Sequence, residues 1–343
     1  MAKVTLKVLA KLLGLSTSTV SKALKDYADI KPETKQRVED LARRLHYTPN
    51  AFAQSLRSSE TKIIGLLVPD LVHHIFSAIV DGVIHEAAKH GYLVIVLQSH
   101  ESYEEEIEKL QLLVNRNIDG ILLSLSDNTI KYDHIIDIIK NGMPVVLFDR
   151  ISRLIECSMV VIDDRKAAYS ATEHLIKTGC KKIAHITGPF KAKTTIDRYM
   201  GYKLALDKHQ LSFDKSLIYT SKNLSFEDGY HLADQLIEEH PDVDGVFAFI
   251  DPVAIGVLKA FLERKIDVPQ QVSVIGFSNW FLTDATSPAL TTIDHSPYDM
   301  GTQAFQLLLN QLQQMKAGKA VTYNTVEIPT RILYRNSTKT LHA

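Results

Sequence analysis

The sequence predicts two parts: a small all-α headpiece and a larger α/β body of two lobes built on parallel sheets. Three observations predict this. Residues 5 to 24 read as two short helices bent about one glycine. From Lys62 onward, continuous apolar runs alternate with amphipathic helical stretches, the pattern of parallel strands covered on both faces. The chain's 343 residues also exceed what one ordinary core organises.

The first helix sets Leu6, Leu9, Ala10 and Leu13 on one face at spacings of three and four. Gly14 supplies the positive φ that a sharp turn needs. Ser16 stands at an N-cap, and Val20, Ala23 and Leu24 restart the apolar stripe. The outer face of that second helix carries Thr17, Ser18, Thr19, Ser21 and Lys22. Slim hydrogen-bonding groups, one cation and no acid suit a helix entering a DNA major groove, so the pair reads as a helix-turn-helix. An ordinary surface hairpin would have the same apolar spacing. Asp26 to Ile30 forms a polar loop, and Pro32 opens a third helix with Val38, Leu41, Ala42 and Leu45 inward. Pro49 can begin one more helix ending near Arg57, but two turns are marginal in water. That segment is a linker or a helix that orders only when docked.

In the body, Ile63–Val68 is a strand, followed by a helix from about 75 to 90 and a strand from Tyr92 to Leu97. Helix 104–116, strand 120–125, helix 132–141 and strand 145–148 continue the alternation. Strand 159–162, helix 166–178, strand 183–187, helix 197–209 and strand 217–220 follow. Helix 226–239, strand 245–250, helix 252–264, strand 273–277 and helix 297–316 complete it, with a last strand over Asn324 to Ile332. So many strands require two sheets, which we divide near residue 162. The expected domains are a headpiece at 1–46, a hinge at 47–61, a first lobe at 62–162 with about 293–322, and a second lobe at 163–292 with about 323–338. Two such lobes trap a ligand outside the carboxyl ends of their strands.

Composition narrows the class. The net charge of −1 hides an asymmetry: residues 1 to 60 hold eleven Lys/Arg and six Asp/Glu, leaving +5 at the head and −6 behind it. A basic head on a mildly acidic body localises phosphate attraction at one end. No stretch of about 18 apolar residues appears, and the lysine-punctuated start is no secretory signal, so the expected location is cytoplasmic. Cys157 and Cys180 have neither metal-ligand nor redox spacing.

The ordered motifs resemble the lactose/galactose repressor (LacI/GalR) family of bacterial transcriptional regulators over nearly the whole chain. Thr5-Leu6 through Val20-Ser21 resembles the family headpiece, and Tyr47-x-Pro49-Asn50-Ala51-x-Ala53-x-Ser55-Leu56-Arg57 its hinge helix. Ile64-Gly65-Leu66 with Pro69-Asp70, Pro144-Val145-Val146 with Asp149-Arg150, and Ile183-Ala184 with Gly188-Pro189 follow. Arg198-x-x-Gly201-Tyr202, Asp251-x-x-Ala254-Ile255-Gly256 and Ser287-Pro288-x-Leu290-Thr291-Thr292-Ile293 complete the order. The resemblance implies a periplasmic-binding-protein-like body and a homodimer on a pseudo-palindromic double-stranded operator. It places Thr17, Ser18 and Lys22 at base-reading positions, and Ser16, Thr19, Ser21 and Asn50 at phosphate. Leu56 falls on the family's minor-groove wedge. Thr5, Ala53 and Arg57 complete the DNA-facing set. Lysine at 22 departs from the usual arginine, exchanging a two-pronged guanine grip for a point charge.

Candidates for the crevice all follow predicted strands: Asp70, Phe76, Ser124, Asp149, Arg198, Asp251, Ser278 and Trp280. In the family such positions bind a small metabolite, most often a sugar or a purine. Asp149 and Arg198 suit hydroxyl groups, and Phe76 or Trp280 suits the C–H face of a ring. The competing readings are that Asp149 and Arg150 pair with neighbours and that Phe76 is core. Ile250 stands where an asparagine is usual, Ser278 where an aspartate is common, and His73-His74 where Asn-Pro is frequent. The ligand is then less hydroxylated, larger, or anionic with Arg198 as counter-charge. The two histidines have no third ligand at a convincing spacing, so neither metal nor cofactor is expected.

An enzyme would need a cofactor or nucleophile motif, and no G-x-G-x-x-G, G-x-x-x-x-G-K-[ST] or G-x-S-x-G occurs. No catalytic residue is therefore assigned. A solute-binding protein would share the two lobes but not the basic headpiece. The expectation is a ligand-controlled DNA-binding regulator and, without leucine heptads at the end of the sequence, a dimer.

Overall fold

The computed structural model describes residues 4–47, 60–72 and 74–340. The chain divides into two compact units, Met1–Lys62 and Ile63–Ala343. In the first, α1 (Leu6–Leu13), α2 (Thr17–Ala23) and α3 (Pro32–Arg44) enclose a core of Leu9, Ala10, Val20, Ala23, Val38 and Ala42. Gly14 ends α1 at φ 64° with its N–H returned to Ala10 and Lys11 carbonyls, where a side chain would be strained. Leu6, Leu13, Leu24, Leu41 and Leu45 are only partly buried, because three short helices cannot cover both sides of each stripe.

The second unit holds two six-stranded sheets. The first has the order β11-β5-β4-β3-β1-β2, from β1 (Ile63–Val68), β2 (Leu93–Gln98), β3 (Gly120–Leu123), β4 (Val145–Phe148), β5 (Ser158–Val161) and β11 (Thr325–Glu327). The second runs β12-β10-β9-β8-β6-β7, from β6 (Ile183–Thr187), β7 (Ile218–Thr220), β8 (Gly245–Ala248), β9 (Ser273–Phe277), β10 (Thr291–Asp294) and β12 (Arg331–Leu333). Every pairing is parallel except β10 with β12. The buried runs Ile64–Val68, Val145–Phe148 and Ser273–Phe277 show why these strands read as continuous apolar segments: helices cover both faces.

Helices α4 (His74–Lys89), α5 (Tyr103–Val114), α6 (Asp133–Lys140) and α11 (Pro297–Lys316) belong with the first sheet, and α7 (Asp164–Lys177), α8 (Lys193–Lys208), α9 (Phe226–Glu239) and α10 (Asp251–Glu263) with the second. Glycines let partner helices touch backbone to backbone. A Cβ on Gly229 would stand 2.1 Å from the Val253 carbonyl, and one on Gly256 2.1 Å from that of Phe226, locking α9 to α10. No helix among the described residues is long and apolar enough to cross a membrane.

Two sequence expectations need correction. The single strand expected over Asn324–Ile332 is two strands in different sheets: Thr325–Glu327 pairs with β5 and Arg331–Leu333 with β10. The stretch around Thr325–Glu327 therefore runs with the first lobe, against the expected boundary, and Pro329, which has no backbone N–H for a ladder, stands between the two strands. Conversely Ile293 and Asp294, expected in the first lobe, lie in β10 of the second sheet. β10 itself had no counterpart in the strand reading, its Thr-Thr-Ile-Asp run being short and following closely on Pro288.

Candidate functional site

On the headpiece, α2 is set by its cap. The Ser16 hydroxyl accepts the Thr19 amide at 3.0 Å and meets the Thr19 hydroxyl at 2.8 Å. Thr5 caps α1 in the same way, accepting from the Val8 amide at 3.4 Å. With Val20 and Ala23 in the core, Thr17 and Ser18 stand exposed and Thr19, Ser21 and Lys22 half-exposed. The Lys22 ammonium donates to Asp29 at 2.5 Å across the turn into α3. That hydrogen bond holds the Lys22 pKa above and the Asp29 pKa below their usual ranges. Asn50, Ala53, Leu56 and Arg57 lie outside the described residues.

In the body, three of the eight crevice candidates line one cleft between the lobes. Phe76 comes from α4, Asp149 from the end of β4 and Arg198 from α8, and a pocket of about 40 Å³ lies among them. Ile75, Leu224, Phe249 and Ile250 make its walls apolar. Through Asp149, Arg150 and Thr194 it adjoins a wider pocket of about 180 Å³ that includes Asp127, Tyr132 and Lys191.

Arg198 is fixed from all sides. Its Nε donates to Asp164 at 2.7 Å and its Nη1 to the Phe249 carbonyl at 2.8 Å. The guanidinium lies 3.6 Å from the Phe277 ring centroid and 4.5 Å from that of Phe249. Burial pushes Asp164 up to about 6 against the pull of Arg198. Asp149 adopts φ 56°, and its carboxylate has no hydrogen-bond partner among the described residues. Burial raises its pKa, with Arg150 and Arg198 opposing. A fixed donor beside a free acceptor is what a ligand hydroxyl needs. Arg150 itself pairs with Glu101 at 2.6 Å and Asp127 at 2.9 Å, so that competing reading holds for Arg150 and not for Asp149.

Asp251, Ser278 and Trp280 form a second group. Both Asp251 oxygens are engaged: Oδ1 by the Thr292 hydroxyl at 2.6 Å, Oδ2 by the Trp280 amide at 2.7 Å and the Ser278 hydroxyl at 3.3 Å. Ser278 also meets His74 Nε2 of the other lobe at 2.8 Å, and His74 stacks on Trp280 with centroids 5.3 Å apart. Asp251 thus builds the rim that Trp280 presents. Ser124 is wholly buried at the end of β3 with its Oγ unpartnered. Asp70 instead closes a local turn, accepting the Val72 amide at 2.8 Å, and does not line the cleft. Sequence reasoning missed Thr194 and Phe249. Phe249 directly follows β8, so the rule that sites lie at the carboxyl ends of strands could have found it.

A helix-turn-helix unit on one chain with a two-lobed, cleft-bearing α/β body defines a class, the ligand-responsive transcriptional regulators. Residues 5–50 match the model of bacterial regulatory proteins of the lacI family, and residues 61–335 that of periplasmic binding proteins and the sugar binding domain of the LacI family. The chain belongs to the LacI family. It is 32% identical to the HTH-type transcriptional repressor CytR of Escherichia coli K12, over 98% of this chain and 97% of that protein. With the HTH-type transcriptional repressor PurR of Vibrio atlanticus it shares 30% identity, over 98% and 99%. The fold matches the lac repressor dimer bound to operator at a TM-score of 0.87, with 22% identity over 99% of this chain and all of that one.

Proposed function

We propose that this chain is a cytoplasmic repressor that binds a pseudo-palindromic operator as a homodimer and is controlled by a small molecule held between its lobes. It acts as a regulator with no catalytic step of its own. The observation that carries this reading is the exposed Thr17, Ser18 and Lys22 face on the same chain as the Asp149–Arg198 cleft. Thr17, Ser18 and Lys22 read bases, and Ser16, Thr19, Ser21 and Asn50 meet phosphate. Leu56 is the candidate wedge at the operator centre. Exposed apolar groups support a second copy: Leu93 on the edge strand β2 is 62% exposed and Phe281 76%.

Ligand binding changes how the lobes close and so biases the dimer between two arrangements of different operator affinity. Selection from random DNA with the full chain tests the reading. A two-fold symmetric sequence should be enriched, and light scattering should give the mass of two chains. Failure to enrich any sequence, or a monomer, would count against it. Leu56→Ala should weaken operator binding far more than non-specific binding.

A further inference from the structure

A further cavity lies outside the cleft, on the second lobe. It holds about 290 Å³ and shares no residue with the two cleft pockets. One wall is a single face of α7, where Ser170, Glu173, His174 and Lys177 recur at spacings of three and four. The other is the edge strand β12, which contributes Arg331, with Tyr334 just beyond it.

The acids at this place are already served. Glu173 accepts from Lys177 at 2.8 Å, from Tyr169 at 2.9 Å and from His209 at 3.0 Å. Asp294, behind Arg331, accepts two bonds from that guanidinium and one from the Ser296 amide. What is left over is donors. The Lys177 ammonium uses one of its three N–H groups on Glu173, and the Arg331 Nη1 has no partner among the described residues.

His174 adds a third donor. It is 5% exposed, and its Nδ1 has no hydrogen bond. The Arg335 amide donates to Thr291 Oγ1, which lies 3.0 Å from Thr338 Oγ1, itself 2.9 Å from His174 Nε2. Both hydroxyl protons find an acceptor only if Thr291 donates to Thr338 and Thr338 to Nε2. Nδ1 then carries the ring proton, and a buried N–H without a partner is a group that native folds rarely leave. Burial pushes the ring down to about 4, so it is neutral and offers this one N–H. The Tyr334 ring lies over His174 with centroids 4.8 Å apart. Tyr334 is 63% exposed, with room to swing aside for an incoming group.

We propose that this cavity is a second ligand site, separate from the cleft, which takes a small oxyanion (a carboxylate or a phosphate group) on the Lys177 ammonium, the Arg331 guanidinium and the His174 Nδ1–H. Donors around one cavity, two of them cationic, call for an acceptor-only group as their complement. The binding is independent of the regulator reading above, since it requires no operator.

Calorimetric titration of the full chain with inorganic phosphate and with succinate, at an ionic strength held constant with sodium chloride, tests the site. At least one of the two should bind saturably. Phosphate alone would mark a phosphate-bearing ligand, and succinate alone a carboxylate. Lys177→Met should weaken that binding about tenfold, the loss of one charged hydrogen bond. The variant should fold normally, because Lys177 is half exposed and Glu173 keeps two other donors. Arg331→Met combined with Asp294→Asn should weaken binding as much, removing the cation without stranding its acid. In protein with nitrogen-15 in its histidine rings, the His174 signal, identified by its absence from His174→Gln, should shift at saturation. No saturable binding of either anion, an affinity unchanged by Lys177→Met, or a His174 signal that stays in place would each overturn the proposal. Loss of operator binding would count against the regulator reading alone and leave the anion result standing.

Discussion

The guanidinium of Arg198 lies 3.6 Å from the ring centroid of Phe277, while its Nε holds Asp164 at 2.7 Å. Arg198 is 3% exposed, so both contacts operate in a medium where charge is poorly screened. The stack orients a planar cation that a lysine could not imitate.

Removing the cation tests the pair. Arg198→Met leaves Asp164 buried without its partner and should cost about 3–5 kcal/mol of stability. Adding Asp164→Asn should recover a large part of that loss. Chemical denaturation of the two single variants and the double variant checks it. Additive losses would show that the two residues are not coupled.

Asp251 should make stability fall as pH rises. Burial pushes its carboxyl up to about 7, and the donors Thr292, Trp280 and Ser278 only partly offset this. A folded pKa above the unfolded value of 3.8 favours the protonated form in the folded state. Its stabilising contribution is complete below pH 4 and is lost as pH rises through 7, by at most about 4 kcal/mol. Asp251→Asn removes that dependence. The difference between the wild type and this variant, followed by denaturation from pH 4 to 7, should shrink as pH rises; a constant difference would refute it.

How much of this was legible in the sequence depends on whether local chemistry or distant partners decide. The Gly14 turn, the Ser16 cap and the alternation of strands and helices are local, and they read correctly. The split of the last strand between two sheets is decided by β5 and β10, far away in sequence, and periodicity could not show it. Among the site residues, Arg198 and Asp149 were visible as charged groups after strands. The engagement of Asp251 by Thr292 was not, because a separation of 41 positions along the chain carries no trace of the contact.

His185 should give the opposite pH sign. Its ring stacks between Phe247 at 4.7 Å and Tyr202 at 5.1 Å, and Nδ1 donates to the Phe247 carbonyl at 2.9 Å. Nε2 then has neither proton nor partner. Burial drives the pKa down to about 4, so protonation on acidification opposes folding. This contribution is present above pH 6.5 and is lost as pH falls through 4, by up to about 3 kcal/mol. His185→Phe keeps the stack and removes the titration. Its acid unfolding limb between pH 6.5 and 4 should be shallower than that of the wild type. An identical limb would place the sensitivity elsewhere.

The last prediction concerns Lys22 and Asp29 on the headpiece. Both side chains are about half exposed, at 45% and 54%, so the pair contributes little to folding and Asp29→Asn should leave stability unchanged. Its effect belongs to DNA. A lysine is a mobile point charge on a four-carbon stem, free to settle on any phosphate within reach. Asp29 holds that charge at one place and adds a negative charge that phosphates repel, so it suppresses binding wherever Lys22 gains no base contact to compensate. Asp29→Asn should therefore raise non-operator affinity more than operator affinity and lower the ratio between them. It should also steepen the salt dependence of non-operator binding by about one phosphate contact. Titrations of both DNAs at several salt concentrations measure these quantities directly. Equal gains on the two DNAs would mean that Asp29 acts through net charge alone and does not position Lys22.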